Sequence, residues 1–234
     1  AFYESLKTSS TASSNMKKQE GNYFDTDFNY SIDYDKRNQK FQPTEGYRSR
    51  FDQSIPLISD TNAIMNGYEF NYYNELVNDI VGSFSLYYRA INSMSGDDVR
   101  VSERLFMPQS KLRGFEAGKI GPVDNNDYLG GNYLSALNFV ATLPNAVPTL
   151  QNADFSVFLD AGNIWGVDYD STINDSSALR SSLGLAIDWY TPVGPLSFSY
   201  AEVLSKKSSD KIENFRFNLG TTFWWNILQV FLLL

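Results

Sequence analysis

A chain of 234 residues with no histidine and no cysteine cannot build a Ser–His–Asp or Cys–His catalytic site, a zinc centre of imidazole or thiolate ligands, or a disulfide framework. Asp and Glu number 27 against 19 Lys and Arg, a net charge of −8, so nucleic acid, which needs a basic surface, is excluded as the main partner. Tyr and Phe (15 and 17) greatly outnumber Met (4), which suits β-structure and the aromatic girdles of a membrane interface.

Ala1-Phe2-Tyr3-Glu4-Ser5 lacks the basic region and apolar run of a secretory signal. Either a leader was removed or this is a piece of a longer chain; the closeness of the first strand to residue 1 favours the second. Ten strands are expected, at about 1–9, 22–35, 46–57, 66–75, 80–91, 132–143, 153–165, 179–190, 195–204 and 213–224. In the second, Phe24, Phe28, Tyr30, Ile32 and Tyr34 oppose Asp25, Asp27, Asn29, Ser31 and Asp33. In the fifth, Phe84, Leu86 and Tyr88 oppose Ser83, Ser85 and Arg89. In the eighth, Leu183, Leu185, Ile187 and Trp189 oppose Ser182, Gly184, Ala186 and Asp188. In the last, Phe215, Phe217, Leu219 and Phe223 share a face, with Arg216, Asn218, Gly220 and Thr222 on the other. Almost all these segments have about the length that crosses a bilayer as a tilted strand, roughly 9–11 residues, and none approaches the roughly 20 apolar residues of a membrane helix. Apolar residues on one face and charged ones on the other is the pattern of a lipid exterior around a polar lumen. The fold class is therefore all-β, an antiparallel transmembrane β-barrel over residues 1–223.

Working back from the C-terminus, tight turns at Leu76–Asp79 and Thr191–Gly194 alternate with long connections at 166–178 and 92–131, which puts both chain ends on the periplasmic side. Segment 10–21 reads as a polar loop without a motif. Segment 92–131 is too long for a passive connector. Leu105, Phe106, Met107, Leu112, Phe115 and Ile120 make it too apolar for a solvated tail, so it should fold back into the lumen. Asp124-Asn125-Asn126-Asp127 lacks the further ligands of a calcium loop and reads as a solvated turn, and no metal site is expected. The apolar tail 224–234 is too short to span as a helix; it could prolong the last strand, lie in the interface or be a sequence artefact.

Leu112-Arg113-Gly114-Phe115 lies in the inward loop. Counting by twos puts Phe155, Val157 and Leu159 outward with Ser156, Phe158 and Asp160 in the lumen; on the preceding strand Leu137 and Phe139 face lipid while Asn138 faces inward. A lumenal Asp160 and the loop Arg113 can form a fork-shaped, charge-assisted pair that anchors the loop, and Gly114 permits the tight turn that presents the guanidinium. The plainer alternatives are an exposed or merely stabilising Arg113, an ordinary lumenal carboxylate at Asp160 and a packing glycine at Gly220. Otherwise Gly220 permits a kink that thins strand pairing at the closing seam.

L-R-G-F at 112–115, L-G-G-N at 129–132, F-L-D-A-G-N-I-W at 158–165, the run from Gly184 to Ala201 and F-R-F-N-L-G-T-T-F at 215–223 together resemble the BamA family. This is the family of the central barrel subunit of the bacterial β-barrel assembly machinery, in the outer-membrane insertase (bacterial surface antigen) superfamily. The likeness is collinear from about Phe41 to Phe223. Sister secretion and translocation families share the arginine loop, but G-P-L-S-F-S-Y-A looks most like the assembly branch. The resemblance implies a sixteen-stranded outer-membrane barrel behind periplasmic POTRA domains, with this chain holding about its last ten strands. It implies an assembly factor that inserts client β-barrels through a lateral seam between first and last strands, needing no cofactor and doing no enzymatic chemistry. A secretion or translocation pore of the same superfamily is the alternative; a hydrolase resting on carboxylates alone is a third. The implied partners are unfolded β-barrel clients, lipoprotein subunits reached through the periplasmic domains, and outer-membrane lipid. By resemblance Arg113 takes the arginine position of the loop and Asp160 that of its acidic partner. Family members often carry a second acid where this chain has Asn138, a departure that reduces the expected clamp to one salt bridge plus a hydrogen bond.

Overall fold

Hairpin connections let each alternating segment pair with its sequence neighbour, and one antiparallel sheet results. In a computed structural model, which describes residues 1–77, 79–143, 152–168, 173–174, 176–192 and 194–220, the long strands are β1 (Phe2–Leu6), β2 (Gly21–Asp35), β3 (Gly46–Ser59), β4 (Ala63–Val77) and β5 (Ile80–Ser93). The lumenal loop then adds the short strands β6 (Gly114–Phe115), β7 (Val123–Asp124) and β8 (Asp127–Tyr128). The sheet resumes with β9 (Tyr133–Leu143), β10 (Ala153–Trp165), β11 (Arg180–Thr191) and β12 (Gly194–Ser205), and ends, after the short β13 (Ile212–Glu213), with β14 (Phe215–Leu219). The ten strands of the sheet run in the order β1-β2-β3-β4-β5-β9-β10-β11-β12-β14. Among the described residues no helix is long and apolar enough to cross a membrane, which says nothing against crossing by strands.

The two faces separate by parity. Leu137, Phe139, Val157, Leu159, Leu183 and Leu185 are exposed on the outside, whereas Asn138, Ser156, Phe158, Asp160 and Ser182 on the alternate positions are buried. In water so continuous an apolar exterior would be an anomaly; against hydrocarbon it is the surface the solvent requires.

The interior is filled by the loop. Met107, Leu112, Phe115 and Ile120 form a buried cluster with Leu134, Ala136 and Ile164 of the wall, and Leu105 packs against it half-buried. Phe106 departs from the expectation: it is exposed, with Gly118 and Gly130 beside its ring, because positive φ at both glycines turns the chain around it.

Three local expectations are corrected. Connections do not alternate throughout: the outer β3–β4 connection is only residues 60–62, while the periplasmic turn 36–45 is longer. The short one is closed by Asp60, which accepts the Phe24 N–H at 2.7 Å, and by an Ala63 N–H to Thr61 carbonyl bond. Segment 10–21 is more than a loop: it carries a one-turn helix α1 (Ser14–Lys17), capped by the Ser13 hydroxyl, which accepts the Met16 N–H at 3.2 Å. Asp124 and Asp127 are also engaged. They flank the β7–β8 hairpin, whose Asn125 and Asn126 both adopt positive φ as a primed two-residue turn demands. Asp127 accepts the Ser13 N–H at 3.0 Å and Asp124 the Asn15 amide at 3.2 Å, so the turn braces the β1–β2 connection. Beside it Arg100, almost fully buried, bridges Asp25 at 2.6 Å, Glu4 at 3.0 Å and Glu103 at 3.2 Å, while burial pushes the Glu103 carboxyl up from its ordinary range.

Candidate functional site

Strand register sets the floor of the site. Asp160 of β10 lies directly opposite Asn138 of β9 on one side and Ser182 of β11 on the other, so an amide, a carboxylate and a hydroxyl stand in one inward-facing row. All three reach the same stretch of loop. Asp160 is fully buried. Its Oδ2 accepts the Arg113 backbone N–H at 3.1 Å and Nε–H at 2.7 Å, and its Oδ1 accepts Arg113 Nη2–H at 2.7 Å and Asn138 Nδ2–H at 2.8 Å. Four donors on two oxygens leave the carboxylate saturated in a place where an unmatched charge would be costly. Asn138 Nδ2 also donates to the Lys111 carbonyl at 2.9 Å, and the Ser182 hydroxyl donates to the Arg113 carbonyl at 2.6 Å.

Two residue pairs along, the Phe158 ring lies beneath the guanidinium, with Arg113 Cζ 3.3 Å from its centroid. Gly184, cross-strand partner of Phe158, makes room for that ring; a Cβ there would strike the ring and the Tyr200 carbonyl. Gly114 is needed for two reasons. Its φ of +91° is one that side chains resist, and an added Cβ would sit 3.1 Å from Ala201 Cβ and 3.3 Å from Ser182 Cβ. Leu112 and Phe115, on either side, are buried in the lumenal cluster.

Parity alone missed other anchors. Arg216 of β14 donates from Nη2 to the Phe115 carbonyl at 2.7 Å and from Nη1 to the Gln109 carbonyl at 3.3 Å, and pairs with Glu213 at 2.5 Å. On the other flank of the site in the sheet order, Glu69 of β4 pairs with Lys111 at 2.8 Å. β13 pairs with β6 through Ile212↔Phe115 and Glu213↔Gly114. Arg216 and Ser182 were legible as inward positions, but nothing in their spacing says at what height along the lumen they stand.

On β14, Phe215, Phe217 and Leu219 point outward and exposed. β14 pairs with β12 from Tyr200↔Phe215 to Leu196↔Leu219, and the Gly220 N–H donates to the Pro195 carbonyl at 2.8 Å, continuing that edge by one residue. Phe223 and the tail 224–234 lie outside the described residues. No cluster of three or more metal-ligating side chains occurs among the described residues.

A family model described as the Omp85 superfamily domain matches residues 2–223. The chain belongs to the Omp85 superfamily. Among similar proteins, the outer membrane protein assembly factor BamA of Neorickettsia risticii (strain Illinois) is 29% identical over 218 residues, covering 91% of this chain and 29% of that protein. BamA of Neisseria meningitidis serogroup B is 30% identical over 230 residues, covering 80% of this chain and 27% of that protein. The human sorting and assembly machinery component 50 homolog is 25% identical over 171 residues, 69% of this chain and 36% of its own length. The crystal structure of BamA from Haemophilus ducreyi lacking POTRA domains 1–3 superposes with a TM-score of 0.73 at 28% identity, over 83% of this chain and 42% of that one. This Omp85 chain thus spans less than a third of the Neorickettsia and Neisseria proteins it matches, and it is a bacterial outer-membrane β-barrel chain.

In this Omp85 chain the amide of Asn138 does what a carboxylate cannot, because it donates to both Asp160 and the Lys111 carbonyl. An Asn138→Asp variant sets an acceptor against two acceptors and is expected to lose about 1–3 kcal/mol of stability. Thermal unfolding of the full-length protein in detergent measures this, and a variant as stable as the parent refutes it.

Proposed function

We propose that this chain is the C-terminal part of an outer-membrane protein assembly factor, which helps client β-barrel proteins fold and insert into the outer membrane. The observation that carries the reading is the loop clasp. A lumen filled by a loop tied through Arg113, Lys111 and Arg216 to separate walls suits a scaffold that works at its edge better than an open conduit.

The physical rationale lies in the edge. An unpaired strand edge in hydrocarbon leaves backbone groups unsatisfied at several kcal/mol each, and a client strand that adds to it by β-augmentation is stabilised accordingly. A seam between the first strand of the whole barrel and the strand carrying Phe215, Phe217, Leu219, Gly220 and Phe223 would present such an edge. Insertion then runs downhill on client folding, without nucleotide or cofactor. Leu112, Arg113, Gly114 and Phe115, with Asp160 and Asn138, serve in this reading to keep the wall next to the seam in one shape. The partners are unfolded β-barrel clients and membrane lipid, with lipoprotein subunits reached through periplasmic domains of the longer protein. With neither His nor Cys in the chain, an enzymatic role finds no support.

The test is Arg113→Ala in the full-length protein in cells. Outer-membrane β-barrel proteins are expected to fall several-fold while the variant barrel itself remains folded. Unchanged levels would refute the proposal, and loss of export of one dedicated partner with normal barrel assembly would favour the secretion branch of the superfamily.

A further inference from the structure

Toward the periplasmic end of the lumen two carboxylates stand side by side; one of them, Asp188, also borders a second cavity with Arg113 and Arg216, while the other, Asp154, does not. Asp154 of β10 and Asp188 of β11 are direct cross-strand partners, and both line the same cavity, so like charges stand side by side, an arrangement that destabilises a sheet. Asp154 is only 6% exposed. Its Oδ2 accepts the Gln42 amide at 2.5 Å, but its Oδ1 is buried without a hydrogen-bond partner among the described residues. The shared cavity is about 320 Å³, and the other polar groups around it include the hydroxyls of Thr44, Ser83 and Thr142; among the described residues no Lys or Arg lines it. The periplasmic turn 36–45 reaches across to cover it, with the Phe41 ring set edge-on to Tyr190 at 5.1 Å. A buried carboxylate oxygen with no donor, beside a second carboxylate, calls for positive charge.

We propose that this pocket binds one hydrated divalent cation of the magnesium or calcium type, with Asp154 Oδ1 and the Asp188 carboxylate as its charged ligands. Two carboxylates balance a double charge. The donor set is oxygen throughout, which suits a hard cation and disfavours copper or zinc. The cavity has room for the waters such an ion keeps when held by only one or two carboxylates. Thr44, Ser83 and Thr142 are placed to hydrogen-bond those waters. Because Gln42 already holds Asp154, the bound ion would also fasten turn 36–45 across the mouth of the lumen, tying β2 and β3 to β10 and β11.

Calorimetric titration of magnesium chloride and calcium chloride, each alone, into the EDTA-treated full-length protein in detergent tests this. At least one salt is expected to give saturable single-site binding, weakened tenfold or more in Asp154→Asn and in Asp188→Asn and unchanged in Asp79→Asn, an exposed acid on the β4–β5 turn. Absence of saturable heat overturns the proposal, as does equal binding in the two pocket variants and the parent, which would mark an adventitious ion only. Unfolding temperature gives a second readout. The cation should raise it in the parent and not in Asp154→Asn, whereas in EDTA the variant should unfold no lower than the parent because the repulsion is gone. A parent indifferent to cation refutes the site.

Discussion

Replacing Asp160 by alanine in the full-length protein is expected to free the lumenal loop and to cost about 3–5 kcal/mol, the range for removing one partner of a buried, hydrogen-bonded ion pair. Four donors converge on this carboxylate. When it is gone the Arg113 guanidinium remains over Phe158, with only 17% of its side chain exposed to solvent to compensate its charge. Asp160→Asn is expected to be nearly as harmful. An asparagine keeps one acceptor oxygen, but its NH₂ group must face Arg113 or the Asn138 amide, donor against donor. Arg113→Lys also fails to restore the clasp, because a single ammonium cannot reproduce the two parallel bonds of the fork. Limited proteolysis gives the readout: new cleavage between residues 94 and 132 in Asp160→Ala, with a lowered unfolding temperature. A loop as resistant as in the parent would show that its apolar contacts hold it unaided and that the clasp does not anchor it.

The clasp shows how far residue order alone can reach. Alternation assigned Asp160, Asn138 and Phe158 to the inside and Phe139, Val157 and Leu159 to the outside, because side chains of a strand change faces at every residue. Such parity is exact and local. What it lacks is height along the lumen, which depends on the stagger between neighbouring strands and so on the length of every hairpin turn. For that reason the row Asn138–Asp160–Ser182 and the reach of Arg216 to the Phe115 carbonyl became visible only once the register was known. Connections were read least well. The longer periplasmic turn 36–45 breaks the expected alternation because Gln42 and Phe41 find partners on β10 and β11, far away in sequence. The Asp124–Asp127 hairpin looked like a solvated turn because its partners, Ser13 and Asn15, belong to a segment more than a hundred residues earlier. Buried apolar residues made the inward path of the loop legible; Phe106, exposed between two glycines, shows that apolar content sets where a segment goes and not where each side chain ends.

A second fork holds the same loop indirectly, and its removal is expected to be comparably severe. Arg180 at the start of β11 and Asp210 in the β12–β14 connection are both almost wholly buried; Nε–H meets Oδ2 at 2.8 Å and Nη2–H meets Oδ1 at 2.9 Å, while Nη1–H is taken by Asn163 at 2.8 Å. The pair fixes a connection that is itself laced to the loop. Glu116 N–H donates to the Lys211 carbonyl at 3.0 Å, Lys211 N–H to the Lys119 carbonyl at 3.1 Å, and β13 pairs with β6 next to Arg113. Asp210→Ala is therefore expected to cost about 3–5 kcal/mol, since it leaves Arg180 buried with no opposing charge among the described residues. The sharper expectation concerns the double variant. If both forks hold one body, losing either already loosens it, and the second loss costs less than it does alone. Asp160→Ala with Asp210→Ala should then fall short of the sum of the single effects by more than about 0.5 kcal/mol, the margin within which independent sites add. Unfolding of the four proteins of that cycle in one detergent decides the matter. Strict additivity would mean that the loop and the β12–β14 connection are held separately, and that the contacts of β13 with β6 transmit nothing between them.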